Sequence, residues 1–306
     1  MDVSVVLCTY SSEMYDHFKE AAESVLSQTH DEIELVVIVD GTEAVYTNAV
    51  EEYGDYANVV LHCNEENVGL LESRNTGVKL ANGDVVAFID DDAIADEQWI
   101  EELVRTYERT DAIAAGGKMI PDWVAGKPSF LPAEFYWLIG VTHRGFPDAS
   151  VEVRNTNGSN ISFRRNVFLK LDGFDPAIGG RTGDANLQGG ETELCSRMRA
   201  HYDQGVMYNP DAIVAHKVFE YRTRPRWLLD RAFWQGYSKR GMEVFVPESS
   251  AEERAFLGQL VREFGPTRVR ELYQRPNRTK LKQLITLVVL TGTVGLGYLY
   301  GILKWR

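Results

Sequence analysis

The feature that most constrains the fold is a regular alternation of apolar and amphipathic segments over the first 120 residues. The apolar runs lack a polar face, which predicts strands that helices cover on both sides. Between these runs, apolar residues recur at helical spacing, most clearly from Trp99 to Tyr107. The pattern therefore predicts an α/β fold with a mostly parallel sheet between helices. The expected strands are VSVVLC (3–8), IELVVIV (33–39), VVLHC (59–63), DVVAFI (84–89) and AIAAGG (112–117).

Polar residues stand at or directly after the carboxyl ends of three of these strands. Thr9 and Tyr10 follow the first strand, Asp40 ends the second, and Asp90–Asp92 end the fourth. Ligands of such sheets bind outside the carboxyl ends of the strands. We therefore expect these side chains to converge on one crevice.

The run FIDDDA places three aspartates side by side behind a buried strand. Adjacent carboxylates repel each other unless a cation lies among them. Asp90 and Asp92 form a D-x-D pair, and Mg²⁺ typically takes one or two protein carboxylates plus substrate phosphate oxygens. A solvated turn, in which Asp is common, is the alternative. We predict a metal site at this position, with Asp91 the least defined of the three.

Composition and charge exclude several classes of protein. The 306 residues suit one large α/β domain, or one domain with an appendage. A net charge of −13 opposes nucleic-acid binding, which needs a basic surface. The three cysteines are far apart and form no disulfide framework, which indicates a reducing compartment. The N-terminal apolar run is too short for a signal peptide, so we expect the body of the protein to be cytoplasmic.

The C-terminal region is predicted to meet a membrane. Residues 284–303 contain no charge and would span about 30 Å as a helix, close to the thickness of a bilayer core. We therefore expect 280–306 to be membrane-embedded, with a buried hairpin or an interfacial helix as the alternative. Residues 221–279 are expected to be an amphipathic helical extension, because 222–240 mixes arginines with large apolar residues. The basic residues before the apolar segment favour a cytoplasmic body at the cell membrane.

Other phosphate-handling motifs are absent or incomplete. There is no GxxxxGK[ST] loop, which excludes a P-loop ATPase. VIVDGT (37–42) resembles the start of a haloacid-dehalogenase phosphatase, but Ile38 stands where that family needs its nucleophilic Asp. A sugar nucleotidylyltransferase would carry a glycine-rich loop after the first strand, where CTYSSEMY stands instead.

A series of motifs in residues 1–220 resembles the family 2 inverting glycosyltransferases, which have the GT-A fold. They are VVLCTY, VIVDG, NVGLLESRNTGVKLANGDVVAFIDDD, GSNISFRRNVFLKLDGFD, GGETELCSRMR and YNPDAIVAH. The resemblance implies a catalytic domain at 1–220, with its nucleotide-binding half at about 1–120 and its acceptor half at about 121–220. Among members, the chain resembles haloarchaeal enzymes that add a hexuronic acid to a dolichyl-phosphate-linked glycan for surface-layer glycoprotein N-glycosylation.

The resemblance also implies roles for individual residues. Donor-nucleotide residues would be Thr9, Tyr10, Asp40, Arg74, Asp90 and Asp91, with Arg74 facing the diphosphate and Asn75 bracing its loop. Asp92 and Asp90 would bind Mg²⁺ or Mn²⁺, and His216 either completes the metal site or has a structural role. Asn160 and Arg164 would lie at the acceptor.

The base that an inverting transfer needs is implied to be Glu191. The family usually supplies it from a Glu-Asp pair that opens a helix, and here that pair reads Gly190-Glu191. A carboxylate stabilised at a helix N-terminus is the alternative for Glu191. Glu193 is expected to pair with Arg197 at i+4. The glycine-rich segment 179–190 is predicted to be a loop that orders over a ligand.

These inferences combine into one expected function. The chain would move a hexuronic acid from a UDP-sugar to a lipid-linked, dolichyl phosphate glycan, at a membrane and without a nucleic-acid partner. Three alternatives stay open: a glycosyltransferase of polysaccharide synthesis, a sugar nucleotidylyltransferase, and a non-catalytic relative that binds sugar nucleotides.

Overall fold

The computed structural model describes residues 1–182, 185–246 and 251–305. The chain divides into two compact units. The first comprises Met1–Ile120, Pro147–Gly179 and Gly190–Lys217, and the second Pro121–Phe146, Gly180–Gly189 and Val218–Arg306. The division of the chain at residues 220 and 280 inferred from the sequence stays a prediction.

The strands of the first unit form one mixed sheet in the order β3-β2-β1-β4-β8-β6-β11-β5, with β7 paired to β11. The first four strands in this order are parallel, and β8 begins an antiparallel part. The predicted strands are therefore confirmed, and the antiparallel part is an addition that the apolar pattern did not reveal. The strand bounds are β1 Val3–Thr9, β2 Ile33–Asp40, β3 Val59–Asn64, β4 Val85–Asp90, β5 Ala93–Ala95, β6 Ala114–Trp123, β7 Val151–Val153, β8 Ile161–Arg164, β9 Gly180–Thr182, β10 Ala185–Leu187 and β11 Val206–Val218.

Helices cover both faces of the parallel strands. Side chains of a strand alternate between its faces, so Val5 and Leu7 of β1 join one core and Val6 joins the other. The first core includes Trp99 and the second includes Phe88, and both rings are buried. The helix bounds are α1 Tyr15–Leu26, α2 Glu43–Tyr53, α3 Leu70–Leu80, α4 Trp99–Arg109, α5 Arg165–Lys170, α6 Gly190–Tyr202, α7 Pro225–Phe245, α8 Ala251–Gln259, α9 Gly265–Gln274 and α10 Arg278–Lys304.

The second unit has its own apolar core, built mainly from helices. Leu287 and Leu290 of α10 and Leu228 of α7 lie in it. Glu134 is buried and forms an ion pair with Arg268 of α9, with 2.5 Å between Oε2 and Nη2. A second hydrogen bond of 2.9 Å joins Arg268 Nε to Glu134 Oε1, so the buried charge has a bidentate partner.

The predicted glycine-rich loop contains a short hairpin in this unit. Strands β9 and β10 pair antiparallel, with Gly180 opposite Leu187. Gly183 and Asp184, at the centre of the predicted loop, lie outside the described residues. The part of the predicted amphipathic extension at 247–250 also lies outside them.

Candidate active site

The carboxyl ends of β1, β2 and β4 bring the predicted polar groups together. The strands are adjacent and in register, with Cys8 opposite Asp90 and Thr9 opposite Val39. Thr9 Oγ1 donates a hydrogen bond of 2.8 Å to Asp91 Oδ2. The predicted convergence of the Thr9 and Asp91 segments is therefore confirmed.

Asp40 binds the backbone of the loop that precedes α3. Its carboxylate accepts hydrogen bonds of 2.9 Å from the backbone N–H groups of Val68 and Gly69, and another of 2.9 Å from Asn64 Nδ2. Gly69 has φ +89°, which favours glycine. Tyr10, one residue beyond β1, is 59% exposed. Tyr10 thus presents a free ring at this edge, whereas the Asp40 carboxylate is already used by the protein.

Arg74 of α3 connects two acidic segments that are far apart in the sequence. Its Nη2 donates to Asp90 Oδ1 at 2.6 Å, and its Nη1 donates to Glu191 Oε1 at 3.0 Å. The guanidinium is planar and presents its donors in a fixed fork. One rigid group therefore sets the position of the D-x-D aspartate relative to the predicted base.

The Arg74 side chain is only 2% exposed, and two aromatic rings enclose it. Its guanidinium carbon lies 5.6 Å from the centroid of Phe88 and 5.7 Å from that of Phe174. Burial lowers the pKa of Arg74, but the charges of Asp90 and Glu191 raise it further, so the net pKa is above the ordinary value. The group is a permanent cation between two carboxylates.

Glu191 lies in the first turn of α6, which begins at Gly190. Gly158 packs directly against its carboxylate: a Cβ at position 158 would lie 2.0 Å from Glu191 Oε1 and 2.7 Å from Arg74 Nη1. Only glycine leaves room for this ion pair. Glu193 points elsewhere and pairs with Arg197 through a 2.7 Å bond from Nη2 to Oε2, as predicted from their i, i+4 spacing.

The second and third aspartates of the run face different partners. Asp92 is buried, and its Oδ1 lies 3.3 Å from His216 Nε2, because β5 and β11 pair with His216 opposite Ala93. The structure thus brings together two of the predicted metal ligands.

Burial raises the pKa of Asp91 to about 7, the Thr9 hydrogen bond opposes this shift, and the charges of Asp92 and Asp90 add to it.

The residues present fit a hard divalent cation that also uses ligands from a substrate. Within the described part of the chain, no three His, Cys, Asp or Glu side chains group closely enough to hold a metal ion by themselves. Asp92, His216 and Asp90 offer oxygen and nitrogen atoms at the strand edge, and Mg²⁺ commonly completes its shell with phosphate oxygens and water. The donor set is therefore that of a shared site rather than a closed protein cage.

Asn75 lies within helix α3 rather than in the loop that it was predicted to brace, and its amide holds this helix to Phe174. Its Nδ2 donates to Phe174 O at 2.8 Å, and its Oδ1 accepts from Phe174 N at 2.9 Å. Gly173, with φ +69°, packs against the same amide, where a Cβ would lie 2.4 Å from Asn75 Oδ1. This contact fixes α3 to the chain segment that carries Phe174.

The two residues predicted at the acceptor are structural in this protein. Asn160 is fully buried: Trp99 Nε1 donates to its Oδ1 at 2.8 Å, and its Nδ2 donates to Ala212 O at 2.9 Å. Its amide therefore has no atom to offer an acceptor. Arg164 pairs with Val85 at the amino end of β4, whereas Asp90 ends that strand. Five strand positions, roughly 17 Å, separate Val85 from Asp90 along β4. Arg164 therefore lies at the opposite end of the strand from the acidic edge, and we correct its assignment to the site.

Three contributions were not predicted from the sequence. Ser159 Oγ accepts a 2.9 Å hydrogen bond from Asp90 N, Gly158 makes room for Glu191, and Phe174 flanks Arg74. The glycine and serine belong to the motif GSNISFRR, whose small residues are the signal that could have indicated a close approach.

The chain is a glycosyltransferase, the class of enzyme to which its family match assigns it. The model of the family Glycosyl transferase family 2 matches residues 4–171, so the chain is a member of that family. A curated relative from Haloferax volcanii, named glucosyl-dolichyl phosphate glucuronosyltransferase, is 50% identical over 304 residues. The match covers 99% of this chain and 97% of the relative.

Solved structures confirm the predicted GT-A fold. The mannosyltransferase PcManGT from Pyrobaculum calidifontis, in complex with GDP-Man and Mn²⁺, matches with a TM-score of 0.60 at 16% identity. The match covers 97% of this chain and 87% of that one. The S. aureus TarS fragment 1–349 in complex with UDP-GlcNAc has a TM-score of 0.58 at 16% identity and covers 96% of this chain and 82% of that one.

Proposed function

We propose that this glycosyltransferase moves glucuronic acid from a UDP-sugar to glucosyl-dolichyl phosphate, in the service of cell-surface glycoprotein N-glycosylation. The name of the H. volcanii relative, which matches along nearly the whole chain, supports the donor sugar and the acceptor. The observation that carries the chemistry is the bridge of Arg74 between Asp90 and Glu191. It holds the Glu191 carboxylate and the D-x-D edge in one arrangement, which supports Glu191 as the base.

In the proposed step, a hydroxyl oxygen of the acceptor glucose attacks the anomeric carbon of the donor. Its proton passes to the carboxylate of Glu191, and the bond from the anomeric carbon to the diphosphate oxygen breaks with its electron pair leaving on UDP. Attack opposite the leaving group inverts the anomeric configuration. Arg74 donates to Glu191 Oε1, and we assign the proton to Oε2.

Charge develops on the UDP oxygens as they leave, and the acidic edge alone would oppose it. We propose that Asp92, Asp90 and His216 hold Mg²⁺ or Mn²⁺, which supplies positive charge to the diphosphate when it is bound. Thr9, Tyr10, Asp40 and Asp91 are the residues proposed along the nucleotide. Arg74 is the positioning residue for Asp90 and Glu191, since its donors already contact both carboxylates.

A lipid-linked acceptor supports a membrane location for this enzyme. Within the described chain, one helix, Arg278–Lys304, is long and apolar enough to cross a bilayer by length and composition. Together with a dolichyl-phosphate acceptor, this helix supports a location at the cell membrane with the catalytic unit in the cytoplasm. Basic residues before the helix favour contact with the anionic lipids of the cytoplasmic leaflet.

The test is transfer from UDP-glucuronic acid to glucosyl-dolichyl phosphate by purified enzyme, followed as UDP release and as lipid product. We expect EDTA to abolish transfer and Mg²⁺ or Mn²⁺ to restore it. Glu191→Gln should lower kcat about 10²–10⁴-fold, because it removes the base while keeping an acceptor for Arg74.

Glu193→Gln is the matched control, since Glu193 lies in the same first turn of α6. A carboxylate that only stabilised the helix N-terminus would make the two substitutions equivalent. Full transfer by Glu191→Gln would refute the base, and transfer of another sugar with none from UDP-glucuronic acid would refute the donor.

A further inference from the structure

The helix α10 has two different faces. On its inner face Val294, Gly297 and Gly301 contact α7, and Leu287 and Leu290 are buried in the core of the second unit. These five residues are spaced alternately three and four apart. Its outer face is an apolar stripe, which we call the outer stripe. The outer stripe consists of Leu281, Ile285, Val288, Val289, Leu296, Leu299, Ile302 and Leu303, all exposed. At about 100° per residue, the two faces lie on opposite sides of the helix.

The inner face brings two backbones into direct contact. A Cβ at Gly297 would lie 1.8 Å from Phe233 O, and one at Gly236 would lie 2.0 Å from Val294 O. Small residues permit such close packing of helices. Gly297 and Gly301 therefore pack against α7 of the same chain.

The contacts show that α7 and α10 run in the same direction. Gly297 meets Phe233, Gly301 meets Tyr237, and Trp305 meets Gly241, so the pairs advance together with a constant offset. By that offset, Asp230 and Arg231 of α7 stand level with Val294, in the middle of the uncharged stretch of α10.

This arrangement opposes a helix that crosses the bilayer. If α10 spanned the hydrocarbon, α7 would carry Asp230 and Arg231 to its centre, where charged side chains are strongly disfavoured. Further along α7, Glu243 accepts hydrogen bonds from Tyr298 Oη at 2.6 Å and from Arg240 Nη1 at 3.2 Å. A charged helix that lines the whole second half of α10 requires water or protein on that side.

We propose that α10 lies in the plane of one leaflet, with the outer stripe in lipid and α7 on its aqueous side. The outer stripe continues over six turns without a polar side chain, as lipid contact requires. In a chain of net charge −13, the basic residues Arg278, Lys280, Lys282 and Lys304 bracket this helix, where they can meet anionic headgroups. The inference rests on the membrane association in the proposed function and specifies its geometry.

The test places an environment-sensitive, dithionite-reducible NBD label at each end of the outer stripe in the full chain, as Leu281→Cys or Leu303→Cys. The two positions are about 33 Å apart along the helix. The unsubstituted chain, treated with the same reagent, gives the background from its three cysteines. Val50→Cys, exposed in the first unit, serves as the aqueous control.

Labelled protein is added to preformed vesicles of phosphatidylcholine with about one third phosphatidylglycerol, and dithionite is added outside. We expect both end labels to shift to the blue on binding, unlike the Val50 label, and to be reduced by external dithionite at rates within about threefold of each other. Spin-labelled lipids should quench both labels, and a third at Leu296→Cys, to a similar shallow depth.

Two results would overturn the inference. Protection of one end label until the vesicles are opened by detergent, together with donor hydrolysis and vesicle binding, would show a spanning helix and refute this geometry alone. No vesicle binding by chain that still transfers sugar to a detergent-dispersed acceptor would refute the membrane association as well, while leaving the proposed reaction intact.

Discussion

Replacing Arg74 tests whether one buried cation holds the site together. Arg74→Met leaves Asp90 and Glu191 without their partner, and breaking a buried ion pair in this way costs about 3–5 kcal/mol. Asp90 and Glu191 are 29% and 25% exposed, so water compensates part of the loss and we expect about 3 kcal/mol. At roughly 2–4 °C per kcal/mol, Tm should fall by about 6–12 °C.

Arg105 offers a matched control, because it also binds two carboxylates, Glu101 and Glu102, while its own side chain is 37% exposed. Exposed ion pairs contribute about 0–1 kcal/mol, so Arg105→Met should lower Tm by at most about 4 °C. Thermal unfolding of both variants in EDTA, followed by circular dichroism, makes the comparison. Equal Tm values for the two variants would refute the structural role of Arg74.

Kinetics of Arg74→Lys separate two roles for this side chain. An ammonium keeps the charge but lacks the planar fork that reaches two carboxylates, so a positioning residue should lose kcat about 10-fold or more with donor KM within about threefold. A residue that binds the diphosphate, as first inferred from the sequence, should instead raise donor KM and leave kcat nearly unchanged. That second outcome would overturn the positioning role.

Three further substitutions test separate parts of the structure. Gly158→Ala should displace the Glu191 carboxylate and lower kcat at least 10-fold while Tm changes by only a few degrees; unchanged kcat would contradict the close contact. Burial raises the pKa of Asp91 to about 7. The protonated carboxyl therefore makes its full contribution to the stability of the fold near pH 4, and this contribution is lost as the pH rises through 7. Asp91→Asn should therefore stabilise the EDTA-treated protein by up to about 4 kcal/mol at pH 8 and little at pH 4, as unfolding titrations at the two pH values will show. Gly297→Ala should cost about 1–3 kcal/mol, because backbone atoms of α7 block the added Cβ. Gly292→Ala has open space around the added Cβ and should be neutral or stabilising. Equal Tm values for the two variants would count against the packing described for α10.

Local sequence patterns predicted the structural features that are set by residues close together in the sequence. Runs of residues that are apolar on both faces of a strand identified the parallel strands, and the i, i+4 spacing identified the Glu193–Arg197 pair. The bridge from Arg74 to Glu191 joins residues 117 positions apart, and no local pattern reports such a distance. The register of β8 against β4 is equally non-local, and it moved Arg164 away from the acidic edge.

Burial accounts for the other differences between expectation and structure. Asn160 carries the same amide whether it meets a ligand or a backbone carbonyl, and only packing shows that Trp99 and Ala212 have taken it. Conversely, the resemblance implied that Asp92 and His216 share a metal site, and the two side chains do lie 3.3 Å apart because β11 returns antiparallel beside β5.

The inner face of α10 has a practical consequence for preparing this enzyme without detergent. Leu287 and Leu290 belong to the core of the second unit, so the helix is not a detachable anchor. A chain shortened before Arg278 would uncover the glycine-lined side of α7 and should precipitate rather than become soluble. Polar substitutions along the outer stripe, which leave the core untouched, are the better route to a water-soluble enzyme.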